Sequence, residues 1–271
     1  MSEELVTYKL DGDVALIGLN RPAKRNALSN ELRRQLEEAA ARAEVEAKVG
    51  VLFSHSEHFC AGLDLKEAVQ WMTDHTGHLE MRIGTAQKAR AFDYLSRGRI
   101  PYIAAISGAC IGGGLEIVSS CHIRVADPTA FFALPEGQRG IYIGGGGSVR
   151  IARLIGVARM TDIMLTGRAL SADEAERFGL VQYLVGNGEH YDKAVALAKR
   201  IAQNAPLTNW AVVHGLPRIQ DYSYDDGLFV EGLFSHIVAS PESAHRIKEF
   251  VEGRSERVAQ PKPGNSPIQP E

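Results

Sequence analysis

Residues 100–134 read "IPYIAAISGACIGGGLEIVSSCHIRVADPTAFFAL", and how this run is divided decides the fold. Ile100 to Cys110 has the continuous apolar character of a buried strand. Three glycines, Gly112 to Gly114, then turn the chain toward a helix that carries Glu116 among apolar residues. "HIRVAD" and "TAFFAL" are two further strands, and "SVRIARLIG" opens a helix after Gly144 to Gly147. Strand, strand, helix recurs. A doubly wound sheet would alternate single strands with helices, so the rhythm predicts an α/β fold built as a coil of β-β-α turns.

Upstream, "LVTYKLDGDVALIGLN" (5–20) alternates apolar and polar residues about Asp11-Gly12-Asp13, which predicts a β-hairpin. From Ser29, the apolar residues Leu32, Leu36, Ala39, Ala40 and Ala43 recur at helical spacing, with Ser29 or Asn30 as the cap. "VGVLFSH" (49–55) reads as a short buried strand and "EHFCAGLDL" as a loop into a helix capped by Asp64. Residues 65–99 are mixed and poorly periodic, a pattern that fits a segment covering a site. Beyond about residue 157 the chain is mostly helical, with a capping box at Ser171 and Glu174, a short strand "LVQYLV", and a last helix from Ser240 to Val251. The expected organisation is a core over 1–200, a C-terminal helical region over 201–257, and a proline-rich tail over 258–271 without structure.

The 271 residues carry a net charge of −3, and no Lys/Arg stripe stands out, which argues against a nucleic-acid partner. Cys60, Cys110 and Cys121 fit neither a disulfide framework nor a metal knuckle, so a reducing, cytoplasmic setting is expected. The first residues lack a signal-peptide core, and no run of about eighteen apolar residues suggests a membrane span.

Glycines at the start of a helix leave amide N–H groups uncovered where the helix dipole is positive. Gly112 to Gly114 could therefore bind a phosphate or a developing oxyanion, or could simply allow close packing; both readings stay open. For Gly144 to Gly147 close packing is preferred. Glu116 and Glu136 each stand at the exit of an apolar stretch, where desolvation and neighbouring charge can separate their proton affinities and suit one as base and the other as acid. The simpler reading of the two alone is a buried salt bridge to Arg124, Arg139 or Arg150. "HFCAGLDL" (58–65) offers a second glycine turn ahead of a helix, and two such turns could grip one carbonyl oxygen between them.

Taken together, "LNRPAKRNALS", "FCAGLDL", "AAISGACIGGGLEIVSSCHIRVAD" and "FALPEGQRGIYIGGGGSVRIARLIG" resemble the crotonase (enoyl-CoA hydratase/isomerase) superfamily, in its order and spacing, from about residue 6 to 255. The resemblance implies a crotonase-like spiral of β-β-α turns with a C-terminal helical trimerisation region, homotrimers or dimers of trimers, and acyl-CoA thioester substrates. It implies that the backbone N–H groups of Leu63 and Gly113 form the oxyanion hole, and that Glu116 and Glu136 are the catalytic pair. CoA would be met by backbone around Ala61, Leu63, Asp64 and Leu65, and by Lys24 or Arg25 near its phosphates. No metal or redox cofactor is expected, CoA being part of the substrate. Gly144 stands where dienoyl-CoA isomerases carry an aspartate, which argues against that chemistry. Val238 replaces an aromatic that hydratases often place before the last helix. A narrower likeness, in "ALPEGQRGIYIGGGGSVRIARLIGVARM" and "RIAQNAPLTNWAVVHGLP", is to the methylthioacryloyl-CoA hydratase branch.

His55, His58 and His122 lack metal-ligand spacing and read as loop or structural residues. Cys60 and Cys110 lie beside the two turns without a His partner, which argues against nucleophiles. Trp71, Tyr94 and Tyr142 could line an acyl pocket or simply pack.

Overall fold

The computed structural model describes residues 3–74 and 90–255. The expected tail, and the middle of the 65–99 stretch, lie outside the described residues. The predicted hairpin is β1 (Val6–Asp11) against β2 (Val14–Leu19), paired antiparallel through the Gly12-Asp13 turn. Helix α1 (Asn30–Glu46) follows, its first turn closed by Ser29, whose hydroxyl accepts the Leu32 N–H at 3.1 Å. Next come β3 (Val49–Ser54), α2 (Leu65–Asp74) and α3 (Arg90–Arg97).

The decisive run divides where its glycines stand. Residues 100–110, expected as one strand, are two: β4 (Tyr102–Ile106) and β5 (Ala109–Ile111), separated at Ser107-Gly108 and belonging to different sheets. Gly108 makes that corner with φ of 54°, a left-handed conformation that a side chain disfavours. Helix α4 (Gly113–Ser120), β6 (Ile123–Ala126), β7 (Phe131–Ala133) and α5 (Gly147–Ile155) follow. Thus β4-β5-α4 and β6-β7-α5 are successive β-β-α turns. In each, the first strand joins a six-stranded sheet of order β1-β2-β3-β4-β6-β9, and the second joins a three-stranded sheet of order β5-β7-β8. Before β4 the second strand shrinks to single bridges, Cys60 with Cys110 and Leu28 with Leu63. These bridges set the two glycine turns side by side.

All strand pairs in the large sheet except β1-β2 are parallel. Such a sheet is covered on both faces, and the residues of β2 divide accordingly. Val14 and Leu16 join a cluster with Ala194, Ala198 and Ala202 of α8 (His190–Ala202), whereas Ala15, Ile17 and Leu19 face the interior with Leu32 and Leu36. Each buried Leu or Ile contributes roughly 1.5–3 kcal/mol of transfer free energy.

The remaining elements are α6 (Val157–Thr166), β8 (Ala169–Ser171), α7 (Ala172–Arg177), β9 (Tyr183–Leu184) and α9 (Pro206–Ile219). The capping box at Ser171 and Glu174 is present. Strand β8 was not expected; it pairs antiparallel with β7. Two compact units are formed, Met1–Pro217 and Arg218–Glu271. The first takes in α8 and nearly all of α9; the second holds α10 (Tyr224–Val238) and α11 (Pro241–Val251). Among the described residues, no helix is long and apolar enough to cross a membrane.

Candidate active site

Two turns meet at one point. The Leu28 N–H donates to the Gly62 carbonyl at 2.7 Å and the Asp64 N–H to the Leu28 carbonyl at 3.2 Å, so the intervening Leu63 N–H is turned to the opposite side. A methyl group built on Gly113 would stand 3.7 Å from the Leu63 nitrogen. Gly113 opens α4, where the first N–H groups have no intrahelical acceptor. Neither the Leu63 nor the Gly113 N–H has an acceptor among the described residues. Two unpaired donors side by side at a helix start can hold an oxygen that gains charge.

Glu116 lies one turn into α4 and is 6% exposed. Its Oε1 accepts the Gly145 N–H at 2.7 Å and the Gly147 N–H at 3.0 Å. The second glycine run, read as packing, therefore grips a carboxylate through its amides. Glycine is required there: a methyl on Gly147 would fall 2.7 Å from Glu116 Cγ, and one on Gly145 would run into the Phe92 ring. Burial pushes the Glu116 carboxyl above the usual range, while the two amides and the Arg150 charge pull it back down.

Glu136 follows β7 and is 8% exposed. Its Oε1 would be 2.6 Å from a methyl placed on Gly112, whose φ of 54° also favours glycine, so it sits against the first glycine run. Its Oε2 is buried without a hydrogen-bond partner among the described residues. Burial raises its carboxyl, its own main-chain N–H offsets part of that, and the nearby Glu116 charge raises it further. The buried-salt-bridge reading does not hold among the described residues. Arg124 donates to the Val118, Cys121 and Leu180 carbonyls, Arg139 to the Pro135 carbonyl, and Arg150 to the Gly145 and Glu116 carbonyls.

The other expected contacts lie along the loops leading to Leu63. Lys24 and Arg25 are exposed in the loop after β2, and the Arg25 carbonyl accepts the Ala61 N–H at 2.9 Å, joining that loop to the first turn. Leu65 is exposed at the start of α2. Asp64 caps α2 through the Lys66 N–H at 3.1 Å, and its other oxygen pairs with Arg21 at 2.7 Å. Its carboxylate thus ties the two loops together. Asn26 was missed. Fully buried, with φ of 54°, it donates to the Ser54 hydroxyl and to the His58 and Phe59 carbonyls while accepting the Arg21 N–H. Asn's tolerance of left-handed backbone, in a polar loop between two strands, was the available signal.

The histidines are structural. His55 meets Thr7, and His58 Nδ1 accepts the Ala109 N–H. His122 Nδ1 accepts the Tyr102 N–H, and burial pulls its ring down to about 4. Burial also raises the Cys60 thiol to about 12, out of nucleophilic range. Tyr142 is 71% exposed, whereas Phe92, not singled out in the sequence, packs at Gly145.

A family model for enoyl-CoA hydratase/isomerase matches residues 9–257. A Rhizobium meliloti protein named probable enoyl-CoA hydratase is 34% identical over 257 residues, covering 94% of this chain and 97% of its own. Among solved structures, a Rhodopseudomonas palustris protein with a provisional enoyl-CoA hydratase assignment is 44% identical, with a TM-score of 0.83 over 93% of this chain and 96% of that one. Enoyl-CoA hydratase from Bacillus anthracis is 29% identical, with a TM-score of 0.83 over 92% and 97%. With its spiral of β-β-α turns and a family match across nearly its whole length, the chain belongs to the enoyl-CoA hydratase/isomerase family.

Proposed function

We propose that this protein is an acyl-CoA hydratase that adds water across the α,β-double bond of an enoyl-CoA thioester. The observation that carries the reading is the pairing of two buried carboxylates, one gripped by two amides and one with a buried oxygen that no group among the described residues donates to, beside two unpaired N–H groups. Glu116 takes a proton from water as the oxygen bonds to the β-carbon. The π electrons move onto the thioester oxygen, which the Leu63 and Gly113 N–H groups hold as an enolate. Glu136 then delivers a proton to the α-carbon, so the sum is one water added. The step runs on protein groups without a metal or redox cofactor. Lys24 or Arg25 would lie near the CoA phosphates, backbone around Ala61, Leu63 and Leu65 would meet the adenine, and Asp64 belongs to the same CoA-binding stretch.

Assembly into trimers, singly or paired, fits the apolar side chains exposed on α10: Leu228, Phe229, Leu233 and Ile237. The finer substrate proposal is methylthioacryloyl-CoA. Hydration at its β-carbon gives a hemithioacetal that expels methanethiol.

The test is loss of the conjugated enoyl-thioester absorbance with crotonyl-CoA and, separately, methylthioacryloyl-CoA, with products identified by mass and free thiol assayed. Hydration of both with methanethiol release supports the finer reading; hydration of crotonyl-CoA alone leaves a general hydratase. Double-bond migration or CoA release without water addition would instead make the chain an isomerase or a thioester hydrolase. No turnover of any kind would make it a non-catalytic binding protein.

A further inference from the structure

Arg150, in α5, is the cation whose charge acts on Glu116, yet it forms no ion pair among the described residues. Its guanidinium donates to the Gly145 carbonyl at 2.5 Å, to the Glu116 carbonyl at 3.4 Å and to the Ser119 hydroxyl at 3.3 Å. Ser119 and Ser120 in turn donate to that same Glu116 carbonyl at 2.7 and 3.0 Å. One planar fork therefore joins the main chain of Glu116 to the loop whose amides hold its side chain.

The point of attachment matters. The peptide unit between Gly145 and Gly146, whose carbonyl Arg150 binds, lies between the two units whose N–H groups grip Glu116 Oε1. Fixing the middle unit fixes the direction of both neighbours. At its far end the loop runs into the helix, where the Gly146 carbonyl accepts the Val149 and Arg150 N–H groups at 3.2 and 3.1 Å; before that point glycines hold it open, and a methyl on Gly146 would meet the Arg150 guanidinium at 2.5 Å, one on Gly145 the Phe92 ring. The strand of glycine is clasped between an aromatic face and a guanidinium plane.

We propose that Arg150 is a positioning residue for Glu116, holding the 145–147 amides on its carboxylate so that the base stays anionic and aimed at the attacking water. The assignment rests on the hydratase reading. Only a guanidinium does this well, since its fixed fork spans two carbonyls and a hydroxyl at once, where an ammonium acts as a point charge. The groups facing this pair are Glu136 beside Glu116, and Asp93 and Arg97 of α3 together with Cys121 around Arg150.

In R150M, kcat for crotonyl-CoA should fall about 10- to 100-fold, the scale of a misplaced catalytic group, with KM changed less than about threefold. The acid limb of the pH profile should move to higher pH, because both influences that lower the Glu116 carboxyl weaken together. R150K should return the acid limb toward the wild-type position while recovering only part of kcat. In an E116Q background R150M should cost less than about twofold, since residues acting through one another are not additive. An unmoved acid limb, or the same loss with and without the Glu116 carboxylate, would overturn the assignment and leave Arg150 a packing residue. Wild-type protein that adds no water would overturn the hydratase reading instead. The Glu116 titration, isolated by infrared difference against E116Q, would still test Arg150 in that case: an identical titration in R150M refutes it.

Discussion

The two glycine loops have nearly the same composition and opposite uses. At Gly112 to Gly114 the amide of Gly113 is left unpaired beside that of Leu63, and a carboxylate oxygen of Glu136 lies against Gly112. At Gly144 to Gly147 the amides are already occupied by Glu116. The first loop leaves donors unpaired, the second spends them on the carboxylate of Glu116. What separates them is the reach of an acidic side chain from the preceding turn of the spiral. The comparison extends to the glutamates: Glu116 is fixed at one oxygen by two donors, whereas Glu136 keeps a buried oxygen without any. Donors to the charged form favour a carboxylate, and their absence in a desolvated site favours the acid.

Removing the Glu136 carboxyl should do the most damage. Glu136→Gln is expected to lower kcat by about 10²–10⁴, the usual contribution of one acid or base, with substrate binding largely kept. Calorimetry with a saturated acyl-CoA checks the second half. Gly112→Ala comes next: its methyl would strike Glu136 Oε1, and φ of 54° disfavours any side chain, so about a 10- to 100-fold loss is expected from misplacement. Steady-state kinetics on protein whose melting curve is still cooperative would measure it. Wild-type rates in that variant would break the link between the first loop and the acid.

The smallest effect is on stability. The folded-state carboxyl of Glu136 lies above its unfolded value, so between the two the native state binds more protons than the unfolded one. Its contribution is favourable below the ordinary carboxylate range and is lost as pH rises through the folded value. Glu136→Gln should therefore unfold at a higher temperature than wild type at neutral pH, and the gap should close in acid. A variant equally or less stable at neutral pH would mean that the oxygen is better solvated than its burial implies.

The spiral was legible because its strand-strand-helix rhythm leaves a periodic apolar signal, and because caps such as Ser29 and Ser171 are local. The corner at Gly108 was not: Ile106 and Ala109 are both buried, and hydrophobicity alone does not mark where a strand leaves one sheet for another. Both glutamates and both turns could be named from the chain, since each is a short local pattern. Their connections could not. Glu116 meets Gly145 and Gly147 about thirty residues away, and Arg150 looked like a counter-ion although it binds carbonyls. Such partnerships depend on which turns of the spiral stack, which no local spacing encodes.

The difference between the held and the bare glutamate is tested most directly by exchange of the α-proton of butyryl-CoA with deuterated water, a step that needs the acid-base group at the α-carbon and the enolate site but no attacking water. E116Q should keep this exchange within about tenfold of wild type, while E136Q should lose at least about a hundredfold. The reverse pattern, with exchange lost in E116Q and kept in E136Q, would contradict the assignment of Glu136 to the α-carbon and of Glu116 to water.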